Sequence, residues 1–146
     1  MMHGATEIAV AKHKITKVIH FCYGHRLLDY AGKCRNLHGH NGVLEVDVES
    51  DGLDRLGMVV DFGDIGDAVK TWVDGNLDHR MLLNRSDPLV ETLSELGEPV
   101  YLMDGNPTAE NIARHIFEQA CGQGFDVTEV RLWETPTGRA SYRPGR

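Results

Sequence analysis

Alternating apolar and polar residues predict two β-strands in the first third of the chain. Residues 14–25 carry their large apolar side chains on one parity, and residues 40–50 alternate Leu44, Val46 and Val48 with acidic side chains. A period of two places one set of side chains in the core and the other set in water. We therefore expect two half-buried strands.

Helical periodicity replaces this alternation in the middle of the chain. Residues 64–74 repeat apolar side chains at helical spacing, which predicts an amphipathic helix. Asp87 and Pro88 can open a shorter helix that ends near Gly97. Thr108 is a suitable N-cap for a third helix, whose apolar stripe also has helical spacing.

Two more strands, over residues 127–134 and 139–143, complete the predicted order of two strands, helices and two strands. This order is typical of the α+β class with antiparallel neighbouring strands. A chain of 146 residues has room for one domain, which we expect to cover residues 1–146.

Composition narrows the possible partners. A formal net charge of -7 argues against nucleic acid, because phosphate binding needs a basic face. No apolar run is long enough to cross a membrane, and the N-terminal stretch MMHGATEIAVAKHK lacks the apolar centre of a signal peptide. We therefore expect a cytoplasmic protein whose three widely spaced cysteines stay reduced.

The segment GKCRNLHGHNG contains the strongest chemical signal. His38 and His40 lie two apart on an extended chain, so they project to the same side. His25 lies on the apolar parity of the first strand and supplies a third imidazole if the two strands are neighbours. Three neutral imidazoles with an open fourth position are typical of a catalytic zinc site. The pattern therefore predicts Zn²⁺ bound by His25, His38 and His40.

Two other interpretations of these histidines stay open from the residues alone. Each imidazole could be a partly buried polar group, although three such groups would need three separate partners. Cys34 lies four residues before His38 and could be the fourth ligand of a closed structural zinc site. Structural sites usually contain more cysteine, which favours the open site.

Motifs along nearly the whole chain, from residue 14 to residue 143, resemble those of the 6-pyruvoyl/6-carboxytetrahydropterin synthase family. They occur in the family's order: F-C-Y-G-H-R-L (21–27), K-C-R-N-L-H-G-H-N (33–41), V-V-D-F (59–62), L-D-H (77–79), N-P-T-A-E-N (106–111) and W-E-T-P-T (133–137). Any one motif would be weak, but the ordered set is highly specific.

The resemblance implies the tunnelling fold (T-fold), a four-stranded antiparallel sheet with helices packed on one face. It implies assembly into trimers and hexamers, with active sites at subunit interfaces. It also implies a zinc-dependent lyase whose substrate is a small anionic pterin, 7,8-dihydroneopterin triphosphate.

The resemblance further implies roles for individual residues. The implied zinc ligands are His25, His38 and His40. The implied catalytic residues are Cys34 and the acid–base pair Asp78 and His79. The residue that matches the anchor of the pterin ring is Glu134.

Residue chemistry supports the catalytic roles independently. Lys33 and Arg35 flank Cys34, and their positive charge favours its thiolate. His79 can exchange a proton near neutral pH, and Asp78 can hold its tautomer.

The pterin-binding candidates differ in how strongly the residues support them. Glu134 shares the inward parity of Val130 and Leu132, so its carboxylate needs a partner, which the adjacent N–H donors of a pterin would supply. Glu110 and Thr108 could assist binding, although helix capping and the helix dipole account for them almost as well.

The spacing before His-Gly-His distinguishes branches of the family. Three residues separate Cys34 from His38. This resembles the branch that forms 6-carboxy-5,6,7,8-tetrahydropterin, acetaldehyde and triphosphate on the route to deazapurines such as queuosine. The pyruvoyl-forming branch, which eliminates triphosphate, usually has a wider spacing, and a folate-related branch tends to replace the cysteine by an acid. A non-catalytic zinc-binding module on the same fold is a further alternative.

Two features depart from the family pattern. Tyr23 and Gly24 stand where many members have two small residues, so the bulky Tyr23 could reshape the pocket. The segment 80–105 is longer than in the short bacterial enzymes and contains the predicted helix that opens at Asp87 and Pro88.

Overall fold

A single mixed sheet organises the computed structural model, which describes residues 12–145. The strands are β1 (His13–His25), β2 (His38–Ser50), β3 (Arg80–Asn84), β4 (Val100–Met103), β5 (Val127–Thr135) and β6 (Gly138–Tyr142). Their order across the sheet is β4-β3-β1-β2-β5-β6. The N-terminal stretch on which the expected cytoplasmic location depends lies largely outside the described residues.

The prediction of a four-stranded antiparallel sheet is wrong in the number of strands and in their directions. The four predicted strands do form an antiparallel unit, β1-β2-β5-β6. The structure adds β3, parallel to β1, and β4, parallel to β3, so the sheet has six strands. Both additions are short and lie in the segment 80–105, where only a helix was expected.

The helices begin and end close to the predicted positions. They are α1 (Phe62–Ile65), a π-helical segment (Gly66–Lys70), α2 (Thr71–Asn76), α3 (Leu89–Glu95), α4 (Ala109–Gly122) and a 3₁₀ turn (Lys33–Arg35). Thr108 is the N-cap of α4, and its hydroxyl accepts a hydrogen bond from the Asn111 backbone N–H. None of the helices in residues 12–145 is long and apolar enough to cross a membrane.

The π-helical segment keeps one stripe of side chains in the core. Ile65, Val69, Val73 and Leu77 are all buried and follow one another at intervals of four residues. In a regular α-helix every fourth residue advances by about 40° around the axis, so such a stripe would turn away from the sheet. The wider π turn offsets that rotation.

The core lies between the helices and one face of the sheet. Strand residues such as Leu44 and Leu132 and helix residues such as Ile112 and Ile116 are fully buried in one cluster. The inward strand parity agrees with the alternation that predicted it, and His25 belongs to that parity. The sheet thus presents the ends of β1 and β2 to the loop before α4.

The opposite face of the sheet contains a buried ion pair. The Arg131 guanidinium donates to both oxygens of Asp47 at 2.5 and 2.7 Å, and the Thr16 hydroxyl donates to Asp47 Oδ1 at 2.7 Å. Glu129 and Glu45 also accept from Arg131. The three central strands are therefore joined on this face through one carboxylate.

We expect Asp47→Ala to lower the free energy of unfolding by about 3 kcal/mol, because it leaves the buried Arg131 cation without its main partner. Burial alone would raise the pKa of Asp47, but hydrogen bonds from Arg131 and Thr16 outweigh it and hold the pKa below its usual value. The carboxylate therefore stabilises the fold above the unfolded-state pKa of about 3.9, and this contribution is lost as the pH falls through the lower folded-state pKa.

Urea unfolding at neutral and acid pH measures the effect, with Asp74→Ala as the control. Asp74 pairs with Lys70 on the surface, where an ion pair contributes about 0.5 kcal/mol or less. Equal losses in the two variants would show that the Asp47 pair is no more important than a surface pair.

Candidate functional site

Three histidines meet where β1 ends and β2 begins. Antiparallel pairing sets His25 opposite His38 and Tyr23 opposite His40. One ligand atom from each imidazole lies within 4.8 Å of the other two. His25 is buried, and His38 and His40 are half-buried. The cluster is therefore open to a ligand on one side.

Hydrogen bonds to backbone carbonyls orient two of the three rings. His25 Nδ1 donates to the Pro107 carbonyl at 2.7 Å, and His38 Nδ1 donates to the Asn36 carbonyl at 2.7 Å. A carbonyl oxygen only accepts, so each Nδ1 carries a proton, and in the neutral ring each Nε2 carries the lone pair. His40 Nε2 lies 3.1 Å from His25 Nε2. Such outer hydrogen bonds are typical of metal-binding histidines.

The electrostatics of His25 suit a metal ligand. Burial lowers the pKa of His25, and the neighbouring His38 and His40 lower it further against the opposing effects of the Pro107 carbonyl and Glu134. The neutral imidazole, which binds metal ions, is thus the favoured form. Among residues 12–145 the group of converging ligand atoms is made of these three histidines, without Cys34. The donor set fits a three-coordinate protein site with an open position, as in catalytic zinc centres.

The N-P-T motif (106–108) brings the loop before α4 to the end of β1. The Asn106 side chain accepts from the Leu28 N–H at 3.0 Å and donates to the Leu28 carbonyl at 2.9 Å. Pro107 supplies the carbonyl that orients His25, and Thr108 caps α4. Consecutive residues of the motif therefore join β1, His25 and α4.

A cavity of about 270 Å³ adjoins the buried side of the cluster. The candidate residues on its wall are His25, Cys34, Thr108, Glu110 and Glu134. Cys34 is half-buried on the 3₁₀ turn, and its carbonyl accepts from the Leu27 N–H at 2.8 Å. The turn thus holds the cysteine beside the end of β1.

Glu134 is half-buried at the end of β5, with its carboxylate near the histidine cluster. Its Oε1 lies 3.7 Å from His25 Nε2 and accepts a hydrogen bond from the Tyr23 hydroxyl at 3.3 Å. Burial, and then the Glu134 charge and hydrogen bond, raise the pKa of Tyr23, so this hydroxyl stays a donor. The expectation that Glu134 lacks a protein partner is therefore wrong, because Tyr23 supplies one.

The two residues at the start of α4 differ in how free their side chains are. The Thr108 oxygen already accepts from the Asn111 N–H at 3.1 Å, so it offers the cavity mainly its hydroxyl proton. Glu110 is exposed in the first turn of α4 and lines the cavity. Of the basic residues near the site, Arg26 is committed to a two-pronged ion pair with Asp87.

Asp78 and His79 lie together, but away from this cavity. The Asp78 carboxylate accepts from the Cys22 N–H at 2.9 Å and from His79 Nδ1 at 2.6 Å, which leaves His79 Nε2 free. Burial would raise the pKa of Asp78, but these two hydrogen bonds outweigh it and lower the pKa. His79 has a φ of 56°, an uncommon left-handed conformation that aims its exposed ring outward.

His79 lines a second cavity, of about 500 Å³, whose wall also includes Tyr23, His38 and His40. Cys22 and Asn41 also line it, and the Cys22 thiol donates to Asn41 Oδ1 at 3.0 Å. Gly24 and Gly39 are paired at its floor, where a Cβ on Gly39 would lie 3.0 Å from the Tyr23 carbonyl oxygen. Within one chain, His79 and Cys34 therefore line different cavities.

Sequence reasoning did not assign roles to Tyr23 and Pro107. Tyr23 was noted for its bulk, but its hydrogen bond to Glu134 spans 111 positions of sequence and has no local pattern. The Pro107 contact also joins distant segments, 82 positions apart. The N-P-T match was the only signal that pointed to the second contact.

Comparison with known proteins gives a consistent result over most of the chain. A family model described as 6-pyruvoyl tetrahydropterin synthase matches residues 14–145. The 6-carboxy-5,6,7,8-tetrahydropterin synthase of Rickettsia felis is 42% identical over 130 residues, which are 84% of this chain and 94% of the relative. The protein of the same name from Haemophilus influenzae is 34% identical over 139 residues, 89% of this chain and 98% of the relative.

Solved structures agree in fold. An uncharacterised protein from Wolinella succinogenes matches with a TM-score of 0.80 and 29% identity over 92% of this chain and 99% of that chain. The 6-pyruvoyl tetrahydropterin synthase of Caenorhabditis elegans matches with a TM-score of 0.69 and 25% identity over 94% and 99%.

We expect the purified protein to bind one divalent metal ion per chain through nitrogen ligands only. His38→Ala removes a ligand and should weaken metal binding by more than the roughly 10- to 100-fold that loss of an outer hydrogen-bond partner costs. His20→Ala is the matched control, because His20 is exposed on the opposite parity of β1. Metal analysis measures both variants.

Cys34→Ala separates the open site from the closed structural site. We expect it to leave the metal content intact, since the thiol is not among the converging ligand atoms. X-ray absorption that detected a sulfur ligand in the unmodified protein would contradict the open site.

Proposed function

This chain belongs to the 6-pyruvoyl tetrahydropterin synthase family, and from that premise we propose that it is a zinc-dependent lyase. The proposed reaction converts 7,8-dihydroneopterin triphosphate and water to 6-carboxy-5,6,7,8-tetrahydropterin, acetaldehyde and triphosphate. The product would serve deazapurine synthesis, including that of queuosine.

One observation supports the proposal most strongly: His25 of the histidine cluster, Cys34 and Glu134 line the same cavity. A ligand in this cavity would have the His25 imidazole on one wall and the Glu134 carboxylate as a nearby acceptor. A pterin triphosphate has matching parts, since its side chain carries hydroxyl oxygens and its ring edge carries adjacent N–H donors. The cavity chemistry therefore suits the substrate of the family.

Glu134 is the proposed anchor of the pterin ring. Its carboxylate is half-buried beside His25 and can accept two parallel hydrogen bonds from the amino-pyrimidinone edge. A two-pronged contact would orient the ring and direct its side chain towards the histidines. Glu110 and the Thr108 hydroxyl line the same cavity and would contact the ring from α4.

The proposed ligands of Zn²⁺ are His25, His38 and His40, with Nδ1 of the first two held by carbonyls. When bound, zinc would act as a Lewis acid that makes protons of the substrate side chain easier to remove. Cys34 lines the cavity next to His25, where its thiolate would accept such a proton.

The proposed acid–base pair, Asp78 and His79, would act in a site shared between subunits. Asp78 binds His79 Nδ1 and so leaves Nε2 to exchange a proton. Because His79 and Cys34 line different cavities of one chain, a site that contains both would need a second copy. We therefore propose a trimer or hexamer of the tunnelling-fold type, with active sites at its interfaces.

The alternative reaction is elimination of triphosphate to give 6-pyruvoyltetrahydropterin. The three-residue spacing between Cys34 and His38 favours the carboxy product, as do the names of the curated relatives. A non-catalytic zinc-binding module would need the three histidines but not Cys34, Asp78, His79 and Glu134 together.

We expect the zinc-loaded protein to release acetaldehyde and form 6-carboxy-5,6,7,8-tetrahydropterin from 7,8-dihydroneopterin triphosphate. Mass spectrometry of the products makes the measurement, and Cys34→Ala, with metal bound, is the inactive control. Formation of 6-pyruvoyltetrahydropterin would favour the alternative enzyme. Metal binding without any turnover would favour the non-catalytic module.

Complementation between inactive variants tests the shared site. Cys34→Ala and His79→Ala should each be inactive alone. When the two are co-expressed, random assembly should restore roughly a quarter of wild-type activity, since some sites combine an intact Cys34 with an intact His79 from another chain. Cys34→Ala mixed with Cys34→Ala is the control. No recovery in the mixed oligomer would mean that each site is formed by one chain.

A further inference from the structure

Tyr23 is the buried residue next to the site that the proposed function leaves without a role. Its side chain is 3% exposed. Its ring stacks on Phe21 with a centroid distance of 5.2 Å and meets the His25 ring edge-on at 5.3 Å. Only its hydroxyl has a polar partner, the Glu134 carboxylate.

The Tyr23 ring is packed in the core and does not occupy the cavity beside Glu134. Tyr23 packs over Gly42, where a Cβ would lie 3.1 Å from Tyr23 Cε1. Tyr23 lines the cavity of about 500 Å³ and not the cavity of about 270 Å³ that Glu134 lines. The ring therefore does not fill the cavity beside Glu134, and its effect on a ligand there would pass through the hydroxyl.

We propose that Tyr23 is a positioning residue for Glu134: its hydroxyl donates to Oε1 from the core side and turns the other acceptor positions of the carboxylate towards the cavity. The inference rests on the proposed function, in which Glu134 binds the pterin ring. It assigns Tyr23 to substrate affinity and not to the chemical step.

The Glu134 carboxylate has enough acceptor positions to bind the Tyr23 hydroxyl and a pterin at the same time. A carboxylate has about four lone-pair sites, and Tyr23 uses one of them. Enough remain for the two adjacent N–H donors of a pterin. A lysine or arginine in this place would neutralise Glu134 and compete with the ligand, whereas a neutral hydroxyl does not.

The Tyr23 hydroxyl also limits the orientations that the Glu134 side chain can adopt. Glu134 Oε1 is 3.7 Å from His25 Nε2, the nitrogen proposed to bind metal. Without the Tyr23 hydrogen bond the side chain is free to turn towards the metal site or into solvent. Holding it in one orientation before the ligand arrives lowers the entropy lost on binding.

Tyr23→Phe tests the inference because it removes one oxygen and keeps the ring. We expect neopterin, an oxidised pterin without the triphosphate, to bind roughly tenfold more weakly, the usual cost of losing a hydrogen bond to a charged group. With 7,8-dihydroneopterin triphosphate, KM should rise while kcat stays within about twofold. Metal content should not change.

Tyr101→Phe is the matched control. Tyr101 also has a half-buried hydroxyl with one partner, His115 Nε2 at 2.6 Å, but it lies outside the site. Its removal should leave neopterin affinity unchanged. Equal weakening in both variants would assign the effect to general loss of stability and overturn the inference.

Glu134→Ala separates the inference from the proposed function. If Tyr23 acts through Glu134, Tyr23→Phe should cost no further affinity in the Glu134→Ala background. Two outcomes would overturn the inference alone. One is that the affinity losses of the two substitutions are fully additive in the double variant. The other is that Tyr23→Phe binds neopterin as tightly as the wild type, or more tightly, while Glu134→Ala binds it weakly. Wild-type affinity in Glu134→Ala would overturn the proposed ring anchor and the inference with it.

Discussion

The antiparallel pairing of β1 with β2 is the constraint on which both the sheet and the histidine cluster depend. The pairing is continuous over all thirteen residues of each strand. Because side chains alternate with a period of two, a slip of one residue would move His38 and His40 to the other face, away from His25. Apolar burial on the inner face opposes such a slip, and the bond from Thr16 to Asp47 opposes it on the outer face.

The site depends on contacts that approach this strand pair from two directions. The loop before α4 supplies the Pro107 carbonyl that orients His25, and β5 supplies Glu134 next to the same imidazole. A buried imidazole with both nitrogens in defined surroundings has one tautomer and little freedom to rotate. The geometry of the histidine cluster is thus set by the tertiary fold as well as by strand register.

Long periodic patterns made most elements predictable, and distant contacts made the rest unpredictable. β1, β2, β5 and α4 each span enough residues to show their period, and β6, with five residues, follows β5 after only two residues. In contrast β3 has five residues and β4 has four, and their parallel neighbours are distant in sequence, so no local pattern marks them. Strand parity was enough to predict that three histidines lie on one face of the sheet. The hydrogen bond between Tyr23 and Glu134 has no such local pattern, because it depends on the pairing of β5 with β2.

Gly24 and Gly39, which are paired across β1 and β2, line the larger cavity, and His25, His38 and His40 adjoin them in sequence with side chains on the other face of the sheet. The wall of the larger cavity and the histidine cluster therefore share one stretch of main chain, in which histidines alternate with glycines. A substitution accepted on one side shifts the peptide groups that position residues on the other side. The cavity wall and the histidine cluster are therefore under joint selection. Substitutions in one should be accompanied by substitutions in the other across relatives, even where the two positions are far apart in sequence.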